Sequence, residues 1–163
     1  MSIFQLQPVA WIRGGRTRPI DDHWKDAPAI IELDEAFDAE AFAGIEAFSH
    51  LEVVFVFDRV PDAKIVRGAR HPRNRADWPK VGIFAQRGKS RPNRLGVSRC
   101  RLVKADGRRL HVLDLDAIDG TPVVDIKPWM TEFAPLGETR QPPWSTALMA
   151  RYYAPDGEAG RSG

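Results

Sequence analysis

The amino-acid sequence predicts a mostly β domain, barrel-like or sandwich-like, and three observations carry that expectation. Short runs rich in β-branched and aromatic residues recur along the chain between turn residues. Only one stretch has a convincing helical pattern. No internal repeat is visible, and GxGxxG after a strand, the P-loop, HExxH and GxSxG are all missing, which argues against a doubly wound nucleotide fold.

Taken in order, Phe4–Ile12 reads as a first strand ended by Gly14-Gly15, and residues 16–28, polar with two prolines, read as a loop. Ala29–Leu33 is a short strand. Asp38 is a candidate N-cap for a helix over AEAFAGIEAF, which places Phe42, Ile45 and Phe48 on one face, with Gly44 as a weak point. Leu51–Phe57 is nearly continuous in apolar character and is expected to be a central strand. Asp58–Lys80 is a long arginine-rich connection with three prolines, a flexible lid or a covered loop. Val81–Ala85 is strand-like. Leu95–Val103 is expected to turn Leu95, Val97 and Leu102 toward a core and Arg99 and Arg101 outward. Asp106-Gly107 makes a hairpin turn into Leu110–Leu115, and Val123–Ile126 and Ala147–Tyr153 are the last candidate strands.

A chain of 163 residues with 43% hydrophobic and 28% charged residues is expected to form one soluble domain, residues 1–155. The polar, Gly-rich tail 156–163 is expected to be disordered. No run approaches the ~20 apolar residues of a membrane span. The N-terminus has no basic region ahead of an apolar one, so the expected location is the cytoplasm, with no membrane partner. The single cysteine, Cys100, excludes a disulfide framework and reads as a packed thiol. His23, His50, His71 and His111 lack metal-ligand spacing, so no metal is expected, and His50 reads as a structural hydrogen-bonder.

The net charge of +2 conceals an asymmetry: residues 58–109 carry 16 Lys/Arg against 4 Asp/Glu. Arginine outnumbers lysine there, which suits bidentate phosphate contacts, so an anionic partner is expected over a merely solvated surface. The stretch Val81–Trp129 concentrates the signal. A turn-rich loop sets Arg87, Lys89, Arg91 and Arg94 around an Arg91-Pro92-Asn93 tripeptide, and further on Asp116, Asp119 and Asp125 surround a Gly-Thr-Pro turn. Loops this long and polar between apolar strands are usually functional or disordered. Read alone, DAIDGTP is also a turn in which Asp119 caps its own backbone, and RPN is a proline-fixed turn. Trp78, Trp129 and Trp144 could stack on bases, though lone tryptophans also serve cores and interfaces.

Three segments, in this order, resemble those of the TrmO family, also called YaeB or TsaA-like proteins. They are GIEAFSHLEVVFVFD at Gly44–Asp58, VGIFAQRGKSRPNRLGVS at Val81–Ser98 and DAIDGTPVVDIKPW at Asp116–Trp129. The resemblance, to a short single-domain form, implies a small single-sheet β-barrel with one or two short helices. It also implies a homodimer and a site for S-adenosylmethionine outside any Rossmann fold. The activity implied is methylation of N6 of threonylcarbamoyl-adenosine in tRNA, beside the anticodon. Carried across by position, the implied cofactor-lining residues are Phe57, Asp58, Arg87, Leu95, Leu115, Asp116, Ala117, Ile118 and Asp119, with Asp22, His23 and Trp24 in a proline-containing cofactor loop. Arg87, Lys89, Arg91, Asn93, Arg94 and Lys127 are the expected tRNA contacts. Asp119 and Asp125 are candidate bases for the departing amine proton, and Asn93 a candidate partner for the base edge. The chain departs from the family pattern at Asp58 (usually His), Gln86-Arg87-Gly88 (Thr-Arg-Ser), Arg94 (Pro) and Trp129 (Tyr). Two other readings stand beside methyl transfer to tRNA: a non-catalytic module binding S-adenosylmethionine or RNA, and a methyltransferase for a small metabolite.

Overall fold

Alternation of apolar and polar residues builds one closed sheet. The computed structural model describes residues 2–155; the expected disordered tail, 156–163, lies outside the described residues. Six strands form a closed antiparallel barrel: β1 (Ala10–Arg13), β2 (Pro28–Leu33), β3 (His50–Val56), β6 (Leu95–Asp106), β7 (Arg109–Leu113) and β8 (Pro122–Pro128), in the order β1-β2-β7-β6-β3-β8. The expectation of a single-sheet β-barrel holds. Two further short strands, β4 (Ala69–Arg70) and β5 (Val81–Gly82), pair as a small ribbon beside it.

Inward and outward residues alternate along the barrel strands, as the two-residue period requires, except at bulges in β6 and β8. Ala10 and Ile12, Ala29, Ile31 and Leu33, Leu51, Val53 and Phe55, Leu110 and Val112, and Val123 make the core. In β6 the inward face is Gly96, Ser98 and Cys100, while Val97 is 40% exposed. The expectation of Leu95 and Val97 as core fails because they share the face of Arg99 and Arg101, whereas Leu102 packs against the core as expected. Phe55 decides the phase: it pairs with Gly96, and a Cβ there would lie 2.5 Å from Phe55 Cε2 and 2.6 Å from Cζ. The ring fills the space that a side chain at 96 would occupy.

The first strand is shorter than expected: Phe4–Pro8 carry no strand and only Ala10–Arg13 pair. The stretch after Asp38 forms two 3-10 turns, Ala39–Phe42 and Ile45–Ala47, in place of one helix. Ala43 turns extended and Gly44 takes a φ of 82°, so the glycine ends the run. Of Val81–Ala85 only two residues are strand, and Ile83–Ala85 are a 3-10 turn. Ala147–Tyr153 is no strand. Pro143 at the first helical position starts α1 (Pro143–Met149), which buries no residue, and turns follow it.

The topology sets three connections at one rim, while the long connection 34–49 between β2 and β3 lies at the other. The end of β1, the end of β3, the start of β6, and the end of β7 lead into loops 14–27, 57–94 and 114–121. β7 and β8 are not neighbours in the sheet, so 114–121 must cross the barrel mouth, and it buries Leu115 and Ala117 in the core on the way. Among the described residues, the seven non-glycine residues with positive φ (His23, Asp26, Arg73, Asn74, Asn93, Arg94 and Asp114) lie in these three loops. Backbone strain of this kind concentrates where a fold over-determines a site.

Candidate functional site

The rim gathers most of the residues singled out from the sequence around Asp116. Its main-chain N–H donates to Ser98 Oγ at 3.4 Å, and the Tyr152 hydroxyl donates to its Oδ2. Asp116 Oδ1 is buried and has no hydrogen-bond partner among the described residues. A carboxylate oxygen removed from water and unpartnered costs free energy unless a ligand donor meets it. Burial, then the neighbouring Asp116 carboxylate, pushes the Tyr152 phenol well above its ordinary range, so it stays a donor.

The Asp22–Trp24 loop forms a second side. Asp22 receives both nitrogens of Arg73 at 2.8 and 3.0 Å, and its carbonyl accepts from Arg16 at 2.7 Å. The same Arg16 guanidinium stacks 4.3 Å over the buried Trp24 ring. His23 and Trp24 donate their main-chain N–H groups to the carbonyls of Arg151 (3.0 Å) and Tyr152 (2.8 Å). Phe57, edge-on to Phe55 with centroids 5.2 Å apart, closes the end of β3, and its N–H donates to the Arg94 carbonyl at 2.8 Å. Arg87 donates to the Val97 carbonyl at 2.9 Å and lies close enough to draw down the phenols of Tyr152 and Tyr153 against their burial.

The structure gives several of the expected site residues local partners or core positions. Leu115 and Ala117 turn their side chains into the core, so only their backbone can face a ligand. Asp119 Oδ1 accepts from Gly14 N–H at 2.9 Å, and its carbonyl accepts from Arg59 at 2.8 Å. Through Oδ1 its carboxylate ties two rim loops together. Asp125 caps the N–H of Ile126 at 2.9 Å and pairs with Lys127 at 2.6 Å on the outer barrel wall, opposite Val54 and away from the rim. The two candidate bases are therefore not brought together, and Lys127 stands apart from the other expected tRNA contacts. Asn93 is exposed in a left-handed turn with a φ of 62°, which an asparagine tolerates, so the turn reading of RPN holds. Arg94 pairs with Asp62, and Arg91 donates to the Gln86 carbonyl at 2.8 Å. Asp62, Arg67, Asn93 and Arg94 line a shallow cleft of about 260 Å³. Asp58, Ile118 and Leu95 sit at the rim; Asp58 is exposed and its side chain has no hydrogen bond or ion pair among the described residues.

Sequence reasoning missed Tyr152, Ser98, Arg73 and the Asp26–Arg101–Asp114 network. Arg101 donates to Asp114 at 2.5 Å and to Asp26, and Asp114 also accepts from the Asp26 N–H at 2.7 Å. This network, His50 and Tyr153 border a cavity of about 360 Å³ next to the Asp116 cluster. The signal for Tyr152 was present: the only two tyrosines of the chain follow a proline-started segment, yet their β-propensity suggested a strand. Among the described residues no group of three or more His, Cys, Asp or Glu side chains is placed to hold a metal ion, and no helix is long and apolar enough to cross a membrane.

Residues 16–134 match the family model of the tRNA-methyltransferase O N-terminal domain. A protein of Pyrococcus abyssi, named a probable S-adenosyl-L-methionine-binding protein, is 37% identical over 110 residues, 67% of this chain and 56% of its own. The tRNA (adenine(37)-N6)-methyltransferase of Escherichia coli is 41% identical over 96 residues, 56% of this chain and 40% of its own. A crystal structure of TrmO from Pseudomonas aeruginosa superposes with a TM-score of 0.71 at 27% identity, covering 88% of this chain and 62% of that one. The chain thus spans about half the length of the curated relatives it matches.

Proposed function

The chain belongs to the tRNA-methyltransferase O family, and from that premise we propose that it is an S-adenosylmethionine-dependent methyltransferase acting on N6 of threonylcarbamoyl-adenosine in tRNA, beside the anticodon. The observation that carries the reading is Asp116: a buried, unpartnered carboxylate oxygen at the rim where the three family-like segments converge. The residues present fit an adenosyl ligand. Asp116 Oδ1 is an acceptor for a ribose hydroxyl or an ammonium, Phe57 offers an aromatic face, and the Leu115 and Ala117 backbone offers polar groups for an adenine edge. When bound, S-adenosylmethionine supplies an electrophilic methyl group on a sulfonium.

What the chain's own residues contribute is chiefly positioning. Arg87, Lys89 and Arg91, with Lys64, Arg67 and Lys80 of the same loop, make no ion pair among the described residues, so their charge is free for tRNA phosphates. Asn93, exposed at the tip, is in reach of a base edge. With Asp119 and Asp125 engaged, Asp58 replaces them as the carboxylate available to take the amine proton. A homodimer, a cytoplasmic location and a barrel domain spanning 1–155 complete the proposal; the exposed apolar Phe84 and Val97 are compatible with a self-contact.

The test is methyl transfer from labelled S-adenosylmethionine to tRNA carrying threonylcarbamoyl-adenosine and to the same tRNA lacking it. Transfer to N6 of the modified tRNA alone is the expected result. Tight tRNA binding without transfer would leave a non-catalytic module, and transfer to neither with no salt-dependent tRNA binding would favour a small-metabolite substrate.

A further inference from the structure

The segment that completes the Asp116 site does not belong to the barrel. β8 ends at the opposite rim, where Trp129 N–H bonds to the His50 carbonyl at the start of β3. Residues 131–143 are exposed throughout, and α1 buries nothing. The chain returns to the site rim only at Arg151–Ala154. There, two main-chain bonds fix it to His23 and Trp24, the Ala154 carbonyl meets His23 Nδ1 at 3.3 Å, and Tyr152 reaches Asp116. Its second tyrosine, edge-on to the first at 5.0 Å, walls the neighbouring cavity. The segment is thus held by a few polar contacts to residues that themselves line the site. It adds no side chain to the core, so its opening is independent of barrel unfolding.

We propose that residues 143–155 are a hinged lid over the adenosyl site, latched by the hydrogen bond from Tyr152 to Asp116, which the ligand passes only when the latch is open. The latch uses Asp116 Oδ2 and leaves Oδ1 for the ligand, so the lid closes again over a filled site. The connection 131–143 supplies the slack. Gating of a ligand rests on the methyl-donor reading, whereas the latch itself does not.

The test is site-resolved amide hydrogen exchange on the full chain, wild type and Tyr152→Phe, with Asp116→Asn as a second latch variant. The amides of His23 and Trp24 report the closed lid directly, since their N–H groups are held by lid carbonyls. Loss of one charge-assisted hydrogen bond is expected to raise their exchange on the order of tenfold, with the amides of Val53 and Leu110 unchanged. Binding of S-adenosylhomocysteine to Tyr152→Phe is expected to show association and dissociation rates raised together, with Kd changed by less than about twofold. Unchanged exchange at His23 and Trp24 in both variants would overturn the lid, as would faster dissociation alone, which would make Tyr152 a simple wall. Raised exchange with no binding to wild type would support the latch and sink the methyl-donor reading separately.

Discussion

Replacing Gly96 by alanine probes the contact that sets the phase of β6 and, through Phe57, the floor of the site. The added Cβ would sit 2.5 and 2.6 Å from Phe55 Cε2 and Cζ and 3.0 Å from Phe57 Cζ. Ordinary carbon contacts lie near ~3.5–4.0 Å, so the Phe55 ring must retreat by roughly 1 Å. At 2% exposure, packed among the inward residues of a closed barrel, it has nowhere to go without displacing others. Overpacking of this kind costs about 1–3 kcal/mol, against a gain of about 0.4–1 kcal/mol from the stiffer unfolded chain. The net loss should be about 1–2 kcal/mol, and with about 2–4 °C per kcal/mol for a domain of this size, Tm should fall by roughly 2–8 °C. Urea unfolding and calorimetry on both proteins measure it. Gly96→Ala in a Phe55→Leu background should recover part of the loss, since the two residues are in direct contact. An unchanged or raised Tm, or strict additivity of the pair, would refute the reasoning.

Two further perturbations test the electrostatics at the rim. Burial, reinforced by Asp114 and Asp116, pushes the Cys100 thiol up to about 12. Native protein should therefore resist iodoacetamide at pH 8 and react at once in denaturant; rapid native labelling would contradict the packed-thiol reading. Asp114 is penalised by burial, yet Arg101 and the Asp26 N–H more than offset this and hold its carboxyl below the usual range. A depressed carboxyl contributes stability that is complete above its ordinary pKa of about 3.9 and is lost as pH falls through the lower folded value. Asp114→Asn should cost about 1–3 kcal/mol at pH 7 and flatten the acid limb of stability below pH ~4. Urea titrations across that range decide it, and an unchanged acid limb would remove Asp114 from the network.

The strands were legible because their alternation is dictated by a core on one side only. Ile31, Leu51, Val53, Leu110 and Val112 announce their face in the sequence, as does the Asp106-Gly107 hairpin. β6 misled because its inward residues are Gly96, Ser98 and Cys100, small or polar types chosen by what stands opposite, Phe55 above all. Hydrophobicity cannot report a position whose requirement is emptiness. The 3-10 turns after Asp38 were hidden for a related reason: a helical spacing persists across Gly44, but one positive φ ends the ladder. At the site, the sequence marked the rim loops by charge and turn chemistry. It could not assign partners across long separations. Asp119 bonds a residue 105 positions away and Tyr152 one 36 positions away, so only the closed topology shows that the first is structural and the second belongs to the site.

Calorimetric titration with S-adenosylmethionine, on wild type and on Asp116→Asn, tests most directly whether this rim is a methyl-donor site. Saturable binding by the wild type is expected, weakened at least about tenfold by a substitution that keeps the shape of Asp116 and removes its charge. Undiminished binding by Asp116→Asn would move the site elsewhere on the barrel, and no binding by well-folded wild type would contradict the methyl-donor assignment.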